Sequence, residues 1–181
     1  MCTVTFIPVG KDYFLTANRD EQWDRPAAKP PRIYRVNGQK ILFPMDPRSG
    51  GTWFAVNENG HAVVFLNGAF EKHIPGEAYR KSRGLILLDL ASAVLPTVAF
   101  EQMELDQIAP FTAIIVEFRG LYICRWDGLI KTRRKLDESR SLIWSSVTLY
   151  DPATAAKRAL WFDSWMSKNP HPSVSAVLDF H

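Results

Sequence analysis

Thr52-Trp53-Phe54-Ala55-Val56-Asn57-Glu58-Asn59-Gly60-His61-Ala62-Val63-Val64-Phe65-Leu66 is the stretch on which the fold turns. Its two flanks, 52–56 and 61–66, are dominated by aromatic and β-branched residues, the types that fit a pleated, half-buried surface. Between them Asn59-Gly60 supplies residues that tolerate positive φ, the requirement of a tight hairpin turn. An antiparallel hairpin is therefore predicted here, and the rest of the chain can be read outward from it.

Towards the N-terminus, Asp46-Pro47-Arg48-Ser49-Gly50-Gly51 reads as a loop and Ile41-Leu42-Phe43 as a short strand. Pro26, Pro30 and Pro31 predict an extended segment with little regular pairing, because proline lacks the N–H a ladder needs. A strand over 13–18 is joined by the turn Val9-Gly10-Lys11-Asp12 to a first strand that Pro8 ends. There Cys2, Val4 and Phe6 alternate with Thr3 and Thr5, apolar on one face and hydroxyl-bearing on the other.

Towards the C-terminus the period becomes helical over 79–95, with Leu85, Leu88 and Ala91-Ser92 on one side and Pro96 as its limit. Strands follow over 111–118 and 121–126, around Arg119-Gly120, and over 142–146. Asp151-Pro152 opens a helix running to about residue 167, with Ala156, Leu160, Trp161 and Trp165 as its apolar set. Trp161 and Trp165, four residues apart, are expected in the core. A last short helix is expected near Pro172-Ser173. Strands, helix, strands, helix, with hairpin turns, make an α+β protein built on antiparallel sheets rather than a parallel βαβ array.

The 181 residues predict a single domain over 1–181, without internal repeat or linker. Apolar residues at 46% and charged residues at 23% are globular values and exclude disordered and low-complexity classes. Lys and Arg total 22 against 19 Asp and Glu, and a net charge of +3 is too small to mark a nucleic-acid or membrane-surface protein. The basic run Lys131-Thr132-Arg133-Arg134-Lys135 lacks interleaved aromatics and reads as a solvated loop. The apolar run 85–88 is cut by Asp89, far short of the roughly 20 residues a membrane span needs. Residues 1–7 carry no basic leader, and two cysteines make no disulfide framework, so a soluble, cytoplasmic protein of a reducing compartment is expected. Cys124, between Tyr122 and Trp126 on one strand face, reads as an inert buried thiol. His61, His73, His171 and His181 are too widely spaced to spell a metal site. Ser49-Gly50-Gly51-Thr52 has neither the spacing nor the lysine of a phosphate loop. No metal and no cofactor are expected, and the sequence leaves the oligomeric state open.

Three places could carry chemistry. Removal of Met1 would leave Cys2 as the N-terminus, its thiol beside an α-amine with a pKa near 8 that can take the thiol proton. On position alone an ordinary buried cysteine at a strand edge is the commoner reading. Asn18-Arg19-Asp20-Glu21 follows the second strand directly, so its polar groups lie at the sheet end to which the first strand could bring Cys2. An arginine there lowers a thiol pKa or holds an anion, and a carboxylate orients the amine; a charged turn is the alternative. Asn67-Gly68 closes the hairpin's second strand, where a side-chain amide can donate to a developing oxyanion or simply form a turn.

Several segments together closely resemble the NRDE family, also called transport and Golgi organisation proteins. They are Met1-Cys2-Thr3-Val4-Thr5-Phe6-Ile7, Thr16-Ala17-Asn18-Arg19-Asp20-Glu21, Gly50-Gly51-Thr52-Trp53, Tyr79-Arg80-Lys81-Ser82-Arg83-Gly84, Trp144-Ser145-Ser146 and Leu149-Tyr150. The resemblance implies an Ntn-hydrolase-like αββα sandwich, two antiparallel sheets between helix layers. Family members continue with further strands past the equivalent of residues 178–181, so a sandwich shortened at its C-terminus is expected. The N-terminal part is also similar to choloylglycine hydrolases and penicillin V acylases. By that similarity Cys2 is the nucleophile and its α-amine the base, Arg19 and Asp20 surround it, and Asn67 is the oxyanion donor. Asn18, Glu21, Trp53 and Ser145 become expected substrate contacts. Two departures stand out: Trp144-Ser145-Ser146 lies where the acylases carry a second oxyanion asparagine, and their arginine near the C-terminus has no counterpart.

Two functions follow as expectations. One is a cysteine amidohydrolase cleaving a linear C–N amide bond of a small molecule. The other is a non-enzymatic binding protein on the same fold, with a role in lipid or haem handling or Golgi organisation. For haem the sequence offers little, since neither cysteine precedes a proline and no histidine is marked as an axial ligand.

Overall fold

The computed structural model describes residues 3–19, 25–73, 78–118 and 120–181. Within them lie a three-stranded and a seven-stranded sheet, every strand pair antiparallel. The smaller has the order β10-β1-β2, from β10 (Leu142–Ser145), β1 (Thr3–Val9) and β2 (Asp12–Asn18). The larger runs in chain order through β3 (Lys29–Val36), β4 (Gln39–Met45), β5 (Phe54–Asn57), β6 (Ala62–Asn67), β7 (Phe111–Glu117), β8 (Gly120–Trp126) and β9 (Lys131–Leu136). The α+β class and its antiparallel sheets are those read from the sequence.

Alternation along β1 builds the layers. Val4 and Phe6 point towards the large sheet and join its core, with Val64, Leu66 and Ile114. Ile7 points the other way and packs with Phe162 and Val177 under the outer helices. Those are α3 (Pro152–Lys168) and α4 (Val174–Phe180). On the far side of the large sheet lie α1 (Arg83–Ala91) and α2 (Pro96–Gln102), where Phe100 meets Phe111 edge-on. The order helix, sheet, sheet, helix is a sandwich. Strand β7 is buried at every position, as a strand covered on both faces must be.

Four local expectations are corrected. The segment after Pro26 is a paired strand: β3 runs in register with β4 from Arg32↔Phe43 to Val36↔Gln39, with an irregularity between Lys29 and Arg32 where Pro30 and Pro31 fall. As a sheet edge it tolerates those missing donors. Lys131–Leu136 is likewise strand β9 and not a loop; it is the other edge, so the alternation that would have revealed it is lost among solvated residues. The helix read over 79–95 is confined to Arg83–Ala91, because Leu95 is extended ahead of Pro96 and Pro96 opens α2 in its first turn. Trp161 is 59% exposed and Leu160 71%. The buried stripe of α3 is narrower and centres on Phe162, with Trp165 and Met166 three and four positions on.

The two edges of the seven-stranded sheet share one property. Strand β3 carries Lys29, Arg32 and Arg35, and β9 carries Lys131, Arg133, Arg134 and Lys135. Cys124, as expected, is fully buried, and burial pushes its thiol up to about 12. Among the described residues no helix is long and apolar enough to cross a membrane.

Candidate functional site

Thr3 pairs with Asn18 on one side and with Ser145 on the other. The residues that follow those partners, Arg19 and Ser146, both reach the end of β6. Ser146 is fully buried and its hydroxyl donates to the Asn67 carbonyl at 2.9 Å. Arg19 lines a cavity of about 210 Å³ whose wall includes Asn67, Trp53 and Phe65. Three predicted site residues, Arg19, Trp53 and Asn67, thus share one cavity at an end of the sandwich. The guanidinium of Arg19 lies over the Trp53 indole, 4.5 Å from the ring centroid, a cation–π contact that fixes both.

Asp46, read only as part of a loop, organises the cavity's polar side. It is 6% exposed, accepts from Arg19 Nη2 at 3.3 Å and from the Arg25 guanidinium, and receives the Arg48 N–H at 2.9 Å. Burial works to raise its carboxyl, but the Arg25 hydrogen bond, the Arg48 N–H and the two cationic charges outweigh it and hold the group below the ordinary aspartate value. A carboxylate ionised in this way holds two arginines together in the cavity's lining. The signal in the sequence was Asp46-Pro47-Arg48: an aspartate ahead of a turn bonds the backbone two residues on.

Gly84 lines the cavity, and Gly51 packs against it. The Thr52 N–H donates to the Gly84 carbonyl at 3.3 Å, which brings the loop before β5 onto the first turn of α1. A Cβ on Gly51 would stand 2.5 Å from the Gly84 carbonyl carbon, so no larger residue fits. Ser82 caps α1 by accepting the Leu85 N–H, and Arg83 donates Nη1 to the Pro110 carbonyl at 3.1 Å. Ser82 and Arg83 also line a second cavity, of about 550 Å³, with Lys72, His73, Tyr79 and Lys81. Burial, then the nearby Arg83 charge, lower the His73 pKa from its ordinary value, so this imidazole is neutral at pH 7.

The remaining predicted residues separate. Asn18 lines a cavity of about 180 Å³ on the outer face of the small sheet and donates to the His181 carbonyl at 2.7 Å. There Thr3 accepts from Arg158 Nη2 at 2.8 Å, while the hydroxyls of Thr5 and Thr16 meet the His181 ring. Ser145 lines a fourth recess, of about 690 Å³, with Phe70, Leu149 and Tyr150. It is Ser146, not Ser145, that touches the end of β6. Cys2, Asp20 and Glu21 lie outside the described residues. Among the described residues no three His, Cys, Asp or Glu side chains gather as a metal site would require.

The family described as Transport and Golgi organisation 2 matches residues 1–158, which spans every element from β1 to the first half of α3 and includes Gly51 and Gly84. No curated individual protein matches the chain significantly.

Proposed function

The chain belongs to the Transport and Golgi organisation 2 family, and on that scaffold we propose that it is a cysteine amidohydrolase with an N-terminal nucleophile, acting on a linear C–N amide bond. The observation that carries the reading is the convergence on one cavity of Arg19, Trp53 and Asn67, beside the pair of strands that flank Thr3, the residue after Cys2. A nucleophile at the head of β1 needs a cation near it, an oxyanion donor and a wall to hold the substrate; these three side chains are of the right kinds.

In this mechanism Met1 is removed and the α-amine of Cys2 takes the thiol proton. The sulfur attacks the amide carbon, an S–C bond forms, and the carbonyl oxygen becomes an oxyanion that the Asn67 side-chain amide stabilises. The C–N bond breaks, the leaving nitrogen takes the proton from the α-ammonium, and an acyl-thioester remains. Water then attacks with the α-amine as base, the S–C bond breaks, and a carboxylic acid and the free thiol are released. Asp20 and Glu21 belong to this proposal as groups around the nucleophile; Asn18 and Ser145 enter it as the residues that pair with Thr3 beside it, while they line other cavities.

Intact mass and adduct formation test it. The expected result is a chain lacking one methionine that gains the acyl mass of an activated ester at Cys2, with Cys2→Ala folded but unlabelled. Retained Met1 removes the general base and overturns the hydrolase, leaving a binding protein on the same fold. An adduct that survives Cys2→Ala overturns the assignment of the nucleophile.

A further inference from the structure

Arg125 of β8 lies directly opposite Thr132 of β9, and Ile123 opposite Arg134. Side chains alternate along a strand, so Arg125, Thr132 and Arg134 share one face of the large sheet with Leu121 and Ile123. It is the face turned towards the small sheet, because Ile123 pairs with Ile114 and both belong to the core between the layers. At the β9 edge that core gives out, and the three polar side chains take its place. Opposite and diagonal neighbours in an antiparallel pair lie within roughly 5–8 Å of each other, so one small group can reach all three.

The setting of Arg125 is an expensive one. Its guanidinium is half-buried against Phe70, 5.0 Å from the ring centroid, and its Nε is buried without a hydrogen-bond partner. Among the described residues no carboxylate pairs with Arg125 or Arg134. Burial first, and then the Arg134 charge, lower the Arg125 pKa from the ordinary arginine value. The other face of the same strand is treated differently: Arg133, opposite Cys124, reaches Glu101 of α2 at 3.1 Å. An arginine partly stripped of water and set beside a second cation is costly, and a bound dianion offsets both penalties.

We propose that Arg125, Thr132 and Arg134 hold the phosphate group of an aryl phosphate monoester whose ring lies against Phe70. The site is separate from the Arg19–Asn67 cavity and independent of the hydrolase reading. Two guanidinium forks and the exposed Thr132 hydroxyl supply more donors than the two oxygens of a carboxylate can accept, whereas a phosphate monoester brings three oxygens and a second charge. Phe70 is 53% exposed, an unusual position for a phenyl ring, and offers the organic part of the ligand an apolar surface beside the two arginines.

Calorimetry on the purified full chain at fixed ionic strength tests this, with phenyl phosphate, inorganic phosphate and benzoate as probes. Phenyl phosphate is expected to bind at one equivalent, at least about tenfold tighter than benzoate, and to weaken as salt is raised. Arg134→Gln, a change at an exposed position, and Arg125→Gln are each expected to weaken it about tenfold. Arg133→Gln, on the other face of β9, is expected to leave it within about twofold, which separates a site from general attraction to a basic edge. Phe70→Ala is expected to bring phenyl phosphate down to the affinity of inorganic phosphate. Absence of saturable binding, or affinity indifferent to Arg134→Gln in the folded variant, overturns the site. Benzoate binding as tightly as phenyl phosphate overturns the assignment to phosphate, and equal binding of the two phosphates overturns the role of Phe70.

Discussion

Gly51 and Gly84 touch through their backbones: an added Cβ at Gly51 would lie 2.5 Å from the carbonyl carbon of Gly84, and one at Gly84 would lie 2.9 Å from both the N and the O of Thr52. The contact joins the loop before β5 to the first turn of α1, and both segments supply residues to the cavity wall. Backbone cannot swing aside as a side chain can. Gly51→Ala is therefore expected to push α1 away from the loop and to lower stability by roughly 1–3 kcal/mol, read as a lower denaturant midpoint at unchanged slope. An unchanged midpoint would mean that the contact is relieved by a shift elsewhere.

Asp46 holds Arg19 and Arg25 together, and its replacement leaves two guanidinium groups facing each other without their shared anion. Asp46→Asn is expected to cost roughly 1–3 kcal/mol of stability and to loosen the stacking of Arg19 on Trp53. Tryptophan fluorescence of the folded variant would move if that indole loses its cation; identical emission would refute the coupling.

Acid should destabilise the protein in two windows. His73 and His181 both sit below the ordinary histidine pKa, in each case from burial first and then a neighbouring arginine charge. The unfolded chain binds those protons more readily than the folded one, so their contribution is complete above about pH 6.5 and is lost as the pH falls through their lowered values. Asp46, also held low, contributes fully above the ordinary aspartate value and loses that contribution as the pH falls through its folded value. Thermal melts from pH 8 to pH 3 should show a first decline below pH 6.5 and a second in the aspartate range. Asp46→Asn should shrink only the second, with a remainder from Asp127, Asp137 and Asp151, whose hydrogen bonds also hold them low.

Asn67→Ala separates the oxyanion role from a structural one. The contact from Ser146 uses the Asn67 main-chain carbonyl, which the substitution retains. On a cleaved amide substrate, kcat is expected to fall about 10²–10³-fold with KM within a few-fold. A change confined to KM would assign Asn67 to binding instead.

Thiol labelling should read Cys2 alone. With its pKa pushed up to about 12 by burial, Cys124 is thiolate to only roughly one part in 10⁴ at pH 8 and is shielded as well. One equivalent of iodoacetamide is expected to react with the native protein, two after denaturation, and none with native Cys2→Ala. Native labelling of Cys124 in that variant would contradict the burial.

The parts of the fold that were legible are those where one face is buried and the other is not. The hairpin of β5 and β6 declared itself through Asn59-Gly60, and β1 through its alternation of Val4 and Phe6 with threonines. Strands β3 and β9 stayed hidden because edge strands keep solvated side chains on both faces, and a row such as Arg133-Arg134-Lys135 carries no period. At the site, Arg19, Trp53 and Asn67 could be named because each stands in a recognisable motif. Asp46 left only the turn signal of Asp46-Pro47-Arg48, and its links to Arg19 and Arg25, like the Gly51–Gly84 contact, could not be named: they form only when separate loops meet, and sequence spacing does not encode that meeting. Trp161 was misjudged because helical period marks a stripe without saying how wide the opposing surface is.

The like-charged rims of the large sheet bear on how the protein meets copies of itself. An unpaired strand edge is a template for another chain, and a row of lysines and arginines along it is the usual deterrent. Here β3 and β9 are both armed with cations, so every edge-to-edge encounter of two large sheets brings positive against positive, whichever rims meet. The coulombic part of this barrier shrinks with the screening length, whereas Pro30 and Pro31 on β3 deter pairing at any salt. Concentrated protein should therefore keep best in dilute buffer, and molar salt, often added to prevent association, would here invite it.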